Sequence, residues 1–125
     1  MKIAISISGN TINDPFDPRF GRTSTFCIID TESEEWETYE NPAFSASGGA
    51  GVQASQIIAE KGAEAIISGA FGPKAFDTLS AAKIEMYTAS GNEGFAAQDV
   101  LEMFKNGQLP KTESASHGGH HGGGR

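Results

Sequence analysis

The stretch NPAFSASGGAGVQASQIIAEKGAEAIISGAFGPKAF, residues 41–76, decides the fold. It holds two glycine-rich turns, SGGAG at 47–51 and SGAFGP at 68–73, and each runs into a segment with helical spacing. Between them lies Ala65-Ile66-Ile67, a short apolar run without alternation, as expected of a parallel strand buried on both faces. Strand, glycine turn and helix in this order predict an α/β sheet. In such sheets ligands gather where strand ends meet helix starts, because helix N-termini offer unpaired N–H groups and a partial positive charge.

Working outward, the pattern extends in both directions. Residues 2–8 read KIAISIS, with Ile3, Ile5 and Ile7 alternating against Ala4, Ser6 and Ser8. Period two predicts a strand, and a second face that is small rather than charged predicts a central one. Residues 9–22 form a long loop that Asp14-Pro15 and Asp17-Pro18 stiffen. A strand over 23–30 and an acid-rich edge strand over 35–40 should make an antiparallel hairpin. Downstream of the first glycine turn, Ala50, Ala54, Ile57 and Ile58 share one helical face, and Gly62 is placed to end that helix. Gly72-Pro73 opens a second helix with Ala75, Leu79 and Ala82 inward, and a short strand follows over 84–87. Ser90 and Glu93 have capping-box spacing before a third helix, lined by Ala97, Val100, Leu101 and Phe104 and ended by Lys105, Gly107 and Pro110. Met86 and Met103 read as core. The order β-β-β-α-β-α-β-α predicts a five-stranded mixed sheet with helices on both faces. The folded unit is expected over residues 1–109, with a Gly/His-rich tail over 110–125 that has too little apolar content to build a core.

The net charge of −7 speaks against nucleic acid, which requires clustered Lys and Arg. No apolar run approaches the length of a membrane span, and Met1–Ile5 is too polar for a signal peptide, so a soluble cytoplasmic protein is expected. The single cysteine, Cys27, permits no internal disulfide.

Six stretches in order resemble one family: KIAISIS, PRFGR at 18–22 before a strand ending Ile28-Ile29-Asp30, Asn41-Pro42, GGAGVQ at 48–53, EKGAEAIISG at 60–69 and GPKAFDTL at 72–79. Together they are similar to the dinitrogenase iron–molybdenum cofactor biosynthesis family, of the NifX-like and NifB C-terminal type, over about residues 1–107. The resemblance implies a ribonuclease H-like fold. It also implies a protein that binds or carries an iron–sulfur or molybdenum-containing cluster without turning over a substrate. A nuclease of that fold would place carboxylates on the first strand, and Ile3 to Ser8 has none.

Candidate site residues follow from chemistry. The glycine turns at Gly48, Gly49, Gly51 and at Gly69, Gly72 can present N–H groups to an anion, or can serve only as tight turns. Arg19 and Arg22, flanking Phe20-Gly21, are the only arginines in the body and can pair with a sulfido-metal anion, or with Asp14 or Asp17. Cys27, between Phe26 and Ile28, reads as a core residue first and a ligand second. His117, His120 and His121 form H-x-x-H-H in the tail, a pattern suited to Ni, Cu or Zn and able to close over the anion site. No nucleophile–base pair or carboxylate pair suggests an enzyme. The expected function is a cluster-binding carrier. The rivals are an interaction or regulatory module with a vestigial anion pocket, which would bind a delivery or regulatory protein, and a metal-ion chaperone acting through the tail.

Overall fold

Ile3, Ile5 and Ile7 alternate with Ala4 and Ser6, and in the computed structural model, which describes residues 1–45, 48–89 and 94–113, both sets are buried. Their strand, β1 (Lys2–Ile7), is the middle of a five-stranded mixed sheet ordered β3-β2-β1-β4-β5. β1 pairs antiparallel with β2 (Thr25–Asp30) and parallel with β4 (Ala65–Ser68). β3 (Trp36–Glu40) and β5 (Glu85–Thr88) are the edges. The ribonuclease H-like arrangement with helices on both faces is as the sequence implies. No described helix is long and apolar enough to cross a membrane.

The two faces of β1 seed two cores. Ile3, Ile5 and Ile7 join Cys27, Ile29 and Ile67 under α3 (Ala97–Lys105), which contributes Val100 and Leu101. Ala4 joins Phe26, Ile28 and Ile66 under α1 (Ala50–Glu60) and α2 (Pro73–Ala81), which contribute Ala54, Ile58, Ala75 and Leu79. Each fully buried aliphatic side chain contributes roughly 1.5–3 kcal/mol.

The expected ends hold with local adjustments. Gly62, at φ +82°, closes α1, with its N–H donating to Ala59 O at 3.0 Å. α2 stops at Ala81, so Ala82 caps the helix and is exposed instead of lining the core; Ile84, 4% exposed, fills that place. β2 begins at Thr25, not residue 23; the Thr23 hydroxyl donates to Ile7 O at 2.6 Å, beside the end of β1. Ser90 and Glu93 lie outside the described residues. At the start of α3 Asp99 Oδ2 accepts from Ala96 N–H at 3.1 Å. The described chain stays on the sheet past the expected boundary at 109: Lys111 bridges Tyr87, with Thr88 N–H donating to Pro110 O and Thr112 N–H to Met86 O.

The loop after β1 is tied down locally. Asp14 Oδ2 accepts the Asn10 and Thr11 N–H groups at 2.8 and 2.9 Å, and these bonds hold its carboxyl below the usual 3.8. A depressed folded pKa means stability that is present above 3.8 and lost as pH falls through the folded value. Asp14→Asn should therefore be less stable than wild type at neutral pH. The two stability curves should converge as the pH drops below 3.8, which urea melts at stepped pH would record.

Candidate anion-binding site

The segment from Asp17 to Arg22 lies across the C-terminal ends of β1 and β4, and a buried hydroxyl network fastens it there. Ser6 Oγ donates to Asp17 O at 2.6 Å and lies 2.7 Å from Ser68 Oγ, while Gly69 N–H donates to Pro18 O at 3.0 Å. This explains why two serines occupy otherwise apolar strands: a buried carbonyl without a donor would cost about 1–3 kcal/mol. Phe20, 3% exposed, then drives into the core against Phe26 and Phe71, with ring centroids 5.6 and 5.3 Å away. The next two residues, Gly21 and Arg22, are thereby set beside the start of α1.

There they form a cavity of about 510 Å³ whose walls are the Phe20–Arg22 turn and the first turns of α1 and α2. α1 begins after Gly49, whose φ of +70° is a left-handed conformation suited to glycine, and α2 begins after Gly72. Neither cap has a side-chain hydrogen bond, so the first-turn N–H groups of Gly51, Val52, Lys74 and Ala75 keep no helical acceptor. The two helices pack closely at this end: a Cβ on Gly51 would sit 3.0 Å from Ala75 Cβ, and one on Gly21 would sit 3.0 Å from Gly51 N. Arg22 and Lys74 are exposed on the lining, which contains no acidic residue. Two helix N-termini and two cations therefore face one opening on a chain of net charge −7.

Of the residues expected at the site, Phe20, Gly21, Arg22, Gly49, Gly51 and Gly72 line this cavity. Arg19 does not. It folds back onto Asp17, donating from Nε to Oδ1 at 3.0 Å and from Nη2 to Oδ2 at 2.9 Å, with its backbone N–H also on Oδ1. Asp17 is 4% exposed, so this fork neutralises a buried carboxylate and shapes the loop. Gly48 is exposed and off the lining, and Gly69 is a packing position beneath Pro18. Lys74, Val52 and Ala70 line the cavity without having been singled out. The signal for Lys74 was its place in the first turn after Gly72-Pro73, where a cation opposes the helix dipole and is out of place for stability alone.

Cys27 is on the other face of the sheet, in the α3-side core, with no exposure, and burial pushes its thiol up to about 12. Cys27 has no access to solvent, and among the described residues it belongs to no group of three or more metal-ligating side chains. Native protein should leave Cys27 unreactive toward a disulfide reagent near pH 8 until denaturant is added; rapid labelling of the folded state would show the strand opening. His117, His120 and His121 lie outside the described residues. Among the described residues no group of three or more His, Cys, Asp or Glu could hold a metal ion.

The sequence model of the dinitrogenase iron-molybdenum cofactor family matches residues 1–107. The chain belongs to that family. Similar proteins match it over nearly the full length, and the solved ones share its fold. An uncharacterized protein of Methanocaldococcus jannaschii, MJ0580, is 33% identical over 116 residues, which is 90% of this chain and 92% of that one. The apo form of the orange protein from Desulfovibrio gigas superposes with a TM-score of 0.86 at 33% identity, covering 93% and 96% of the two chains. The Thermotoga protein TM1290 gives 0.80 at 32% identity, covering 94% and 98%. Within the iron-molybdenum cofactor family fold, the cavity built by Phe20–Arg22 and the two glycine-led helices is lined by Arg22 and Lys74.

Proposed function

We propose that the protein binds and carries an anionic metal–sulfur cluster, iron–sulfur or molybdenum-containing, in the cavity between the Phe20–Arg22 turn, α1 and α2, and that it does so without catalysis. The carrying observation is the lining: Arg22, Lys74 and two helix N-termini without a side-chain cap, with no carboxylate, thiol or imidazole among the described residues. Such a donor set cannot ligate a bare iron or molybdenum ion. It fits a preassembled anion that brings its own sulfide ligands, held by charge and N–H donation. Family membership supports the cluster as cargo, and the orange protein's apo description supports a removable ligand.

The tail histidines form a separate proposed site for Ni, Cu or Zn. Residues 110–112 run antiparallel to β5, toward the N-terminal end of that strand, whereas the cavity lies beyond the C-terminal end of its parallel neighbour β4. The test is titration with a thiomolybdate anion, and separately with nickel, of the full chain and of a chain ending at Glu113. That cut keeps the Thr112 N–H bond to Met86 O. Both chains should bind the thiometallate equally, and only the full chain should bind nickel. No thiometallate binding, with capture of a protein partner that Arg22→Glu does not weaken, would favour the interaction-module reading instead.

A further inference from the structure

The two edges of the sheet are treated differently. Residues 110–112 close β5, through Thr88 N–H to Pro110 O at 3.1 Å and Thr112 N–H to Met86 O at 2.7 Å. Among the described residues no strand or isolated bridge pairs with the outer side of β3. Which groups it leaves open follows from the antiparallel alternation. Asp30 N–H donates to Glu35 O at 3.0 Å and Asn41 N–H to Ser24 O at 2.9 Å, so the odd-numbered residues bond inward to β2. Trp36, Thr38 and Glu40 therefore turn their N–H and C=O groups outward, a free row along the whole strand.

Exposed edges are ordinarily blunted by charged side chains, proline, a bulge or a covering loop. β3 has no proline and its ladder with β2 runs without a bulge from Trp36 to Glu40, so its protection is charge alone, from Glu37 and Glu40. Its charge is of one sign. Residues 30–40 hold Asp30, Glu32, Glu34, Glu35, Glu37 and Glu40 and no Lys or Arg. Glu34 is paired with Lys105 at 2.9 Å, but among the described residues Glu35, Glu37 and Glu40 have no ion-pair partner. Beside the strand, on the α1 side, the hairpin and Lys61 enclose a cavity of about 470 Å³ with Ile28 and Tyr39 on its lining. Trp36 stands 38% exposed at the same edge.

We infer that β3 is a docking edge for an extended, Lys- or Arg-bearing segment of a partner protein, which adds as a sixth strand and sets its cations against Glu35 and Glu37. Main-chain pairing gives such a contact affinity, and the alternate side chains give it selectivity. A second copy of this chain is the poorer occupant, because two-fold pairing would set one row of glutamates against another. The edge lies at the opposite side of the sheet from the closed β5.

The probe is a soluble peptide of alternating lysine and valine, with alternating glutamate and valine as control. Amide hydrogen exchange is read by NMR on the full chain. The lysine peptide should slow exchange at Trp36, Thr38 and Glu40 at least tenfold, leave the inward amides of Glu37 and Tyr39 unchanged, and shift Trp36 fluorescence; the control should do neither. Glu35→Lys with Glu37→Lys should abolish the effect, as should Thr38→Pro, which removes an outward N–H and no bond to β2. The charge-reversal pair covers the case in which the proline variant does not fold. Protection by both peptides alike, protection confined to residues 49–52 and 72–75, or protection that appears without peptide as the chain dimerises would each overturn the proposal.

Discussion

Gly69→Ala is expected to destabilise the protein by about 3 kcal/mol and lower its thermal midpoint by roughly 10 °C. A Cβ at this position would stand 2.4 Å from Pro18 Cβ and 2.6 Å from Pro18 O, and both belong to a ring-locked residue that cannot rotate away. Relief would require lifting the loop from the end of β4. That would break the Gly69 N–H bond to Pro18 O and strain the Ser6 bond to Asp17 O. Because the same loop seats Phe20 and aims Arg22, thiometallate binding should fall with stability. Gly48→Ala is the control, since nothing lies within 4 Å of a Cβ there, and its midpoint should move by less than about 0.5 kcal/mol equivalent. Equal midpoints for the two variants in parallel thermal melts would mean that the Pro18–Gly69 contact does not hold the loop.

The second large effect concerns charge at the cavity. Arg22→Glu combined with Lys74→Glu should weaken thiomolybdate binding about 100-fold, corresponding to about 2.7 kcal/mol, within the range for two charge-assisted contacts turned repulsive. Arg19→Ala should weaken it less than the double reversal, because its guanidinium is engaged by Asp17 away from the lining and reaches the cavity only through the loop it shapes. Raising the salt should weaken wild-type binding and partly restore binding to the reversed variant, because screening removes attraction in the first and repulsion in the second. Equilibrium titration followed by absorbance separates these cases. A larger loss from Arg19→Ala than from the double reversal would move the binding surface to the top of the Asp17 loop.

The elements were legible because their signals are local. Alternation in KIAISIS, the unalternated AII run, Gly62 after α1 and Pro73 at the start of α2 each rest on backbone sterics or on the period of a strand or helix, which a neighbour in sequence is enough to reveal. Ala82 was the exception, since the last turn of a helix depends on where the chain must next go, and Ile84 was needed in the core. At the site, the glycine turns and Arg22 were legible as anion-binding chemistry. The division of labour between Arg19 and Arg22 was not. Three residues apart, the two have the same side chain, and their difference lies in a buried carboxylate and in which way a 3-10 turn faces.

The sequence alone therefore determined the strand and helix order, the central place of β1, the edge character of β3 and the family. Tertiary structure decided which charges meet. It brought Lys74 to Arg22 across some fifty residues of chain, consumed Arg19 on Asp17, sealed Cys27 under α3 and closed one sheet edge while leaving the other open. The physical reason is one of range. Propensity and periodicity act over a few residues, whereas a binding site is a sum of short-range contacts between segments that only the packed sheet brings within a few ångströms of one another.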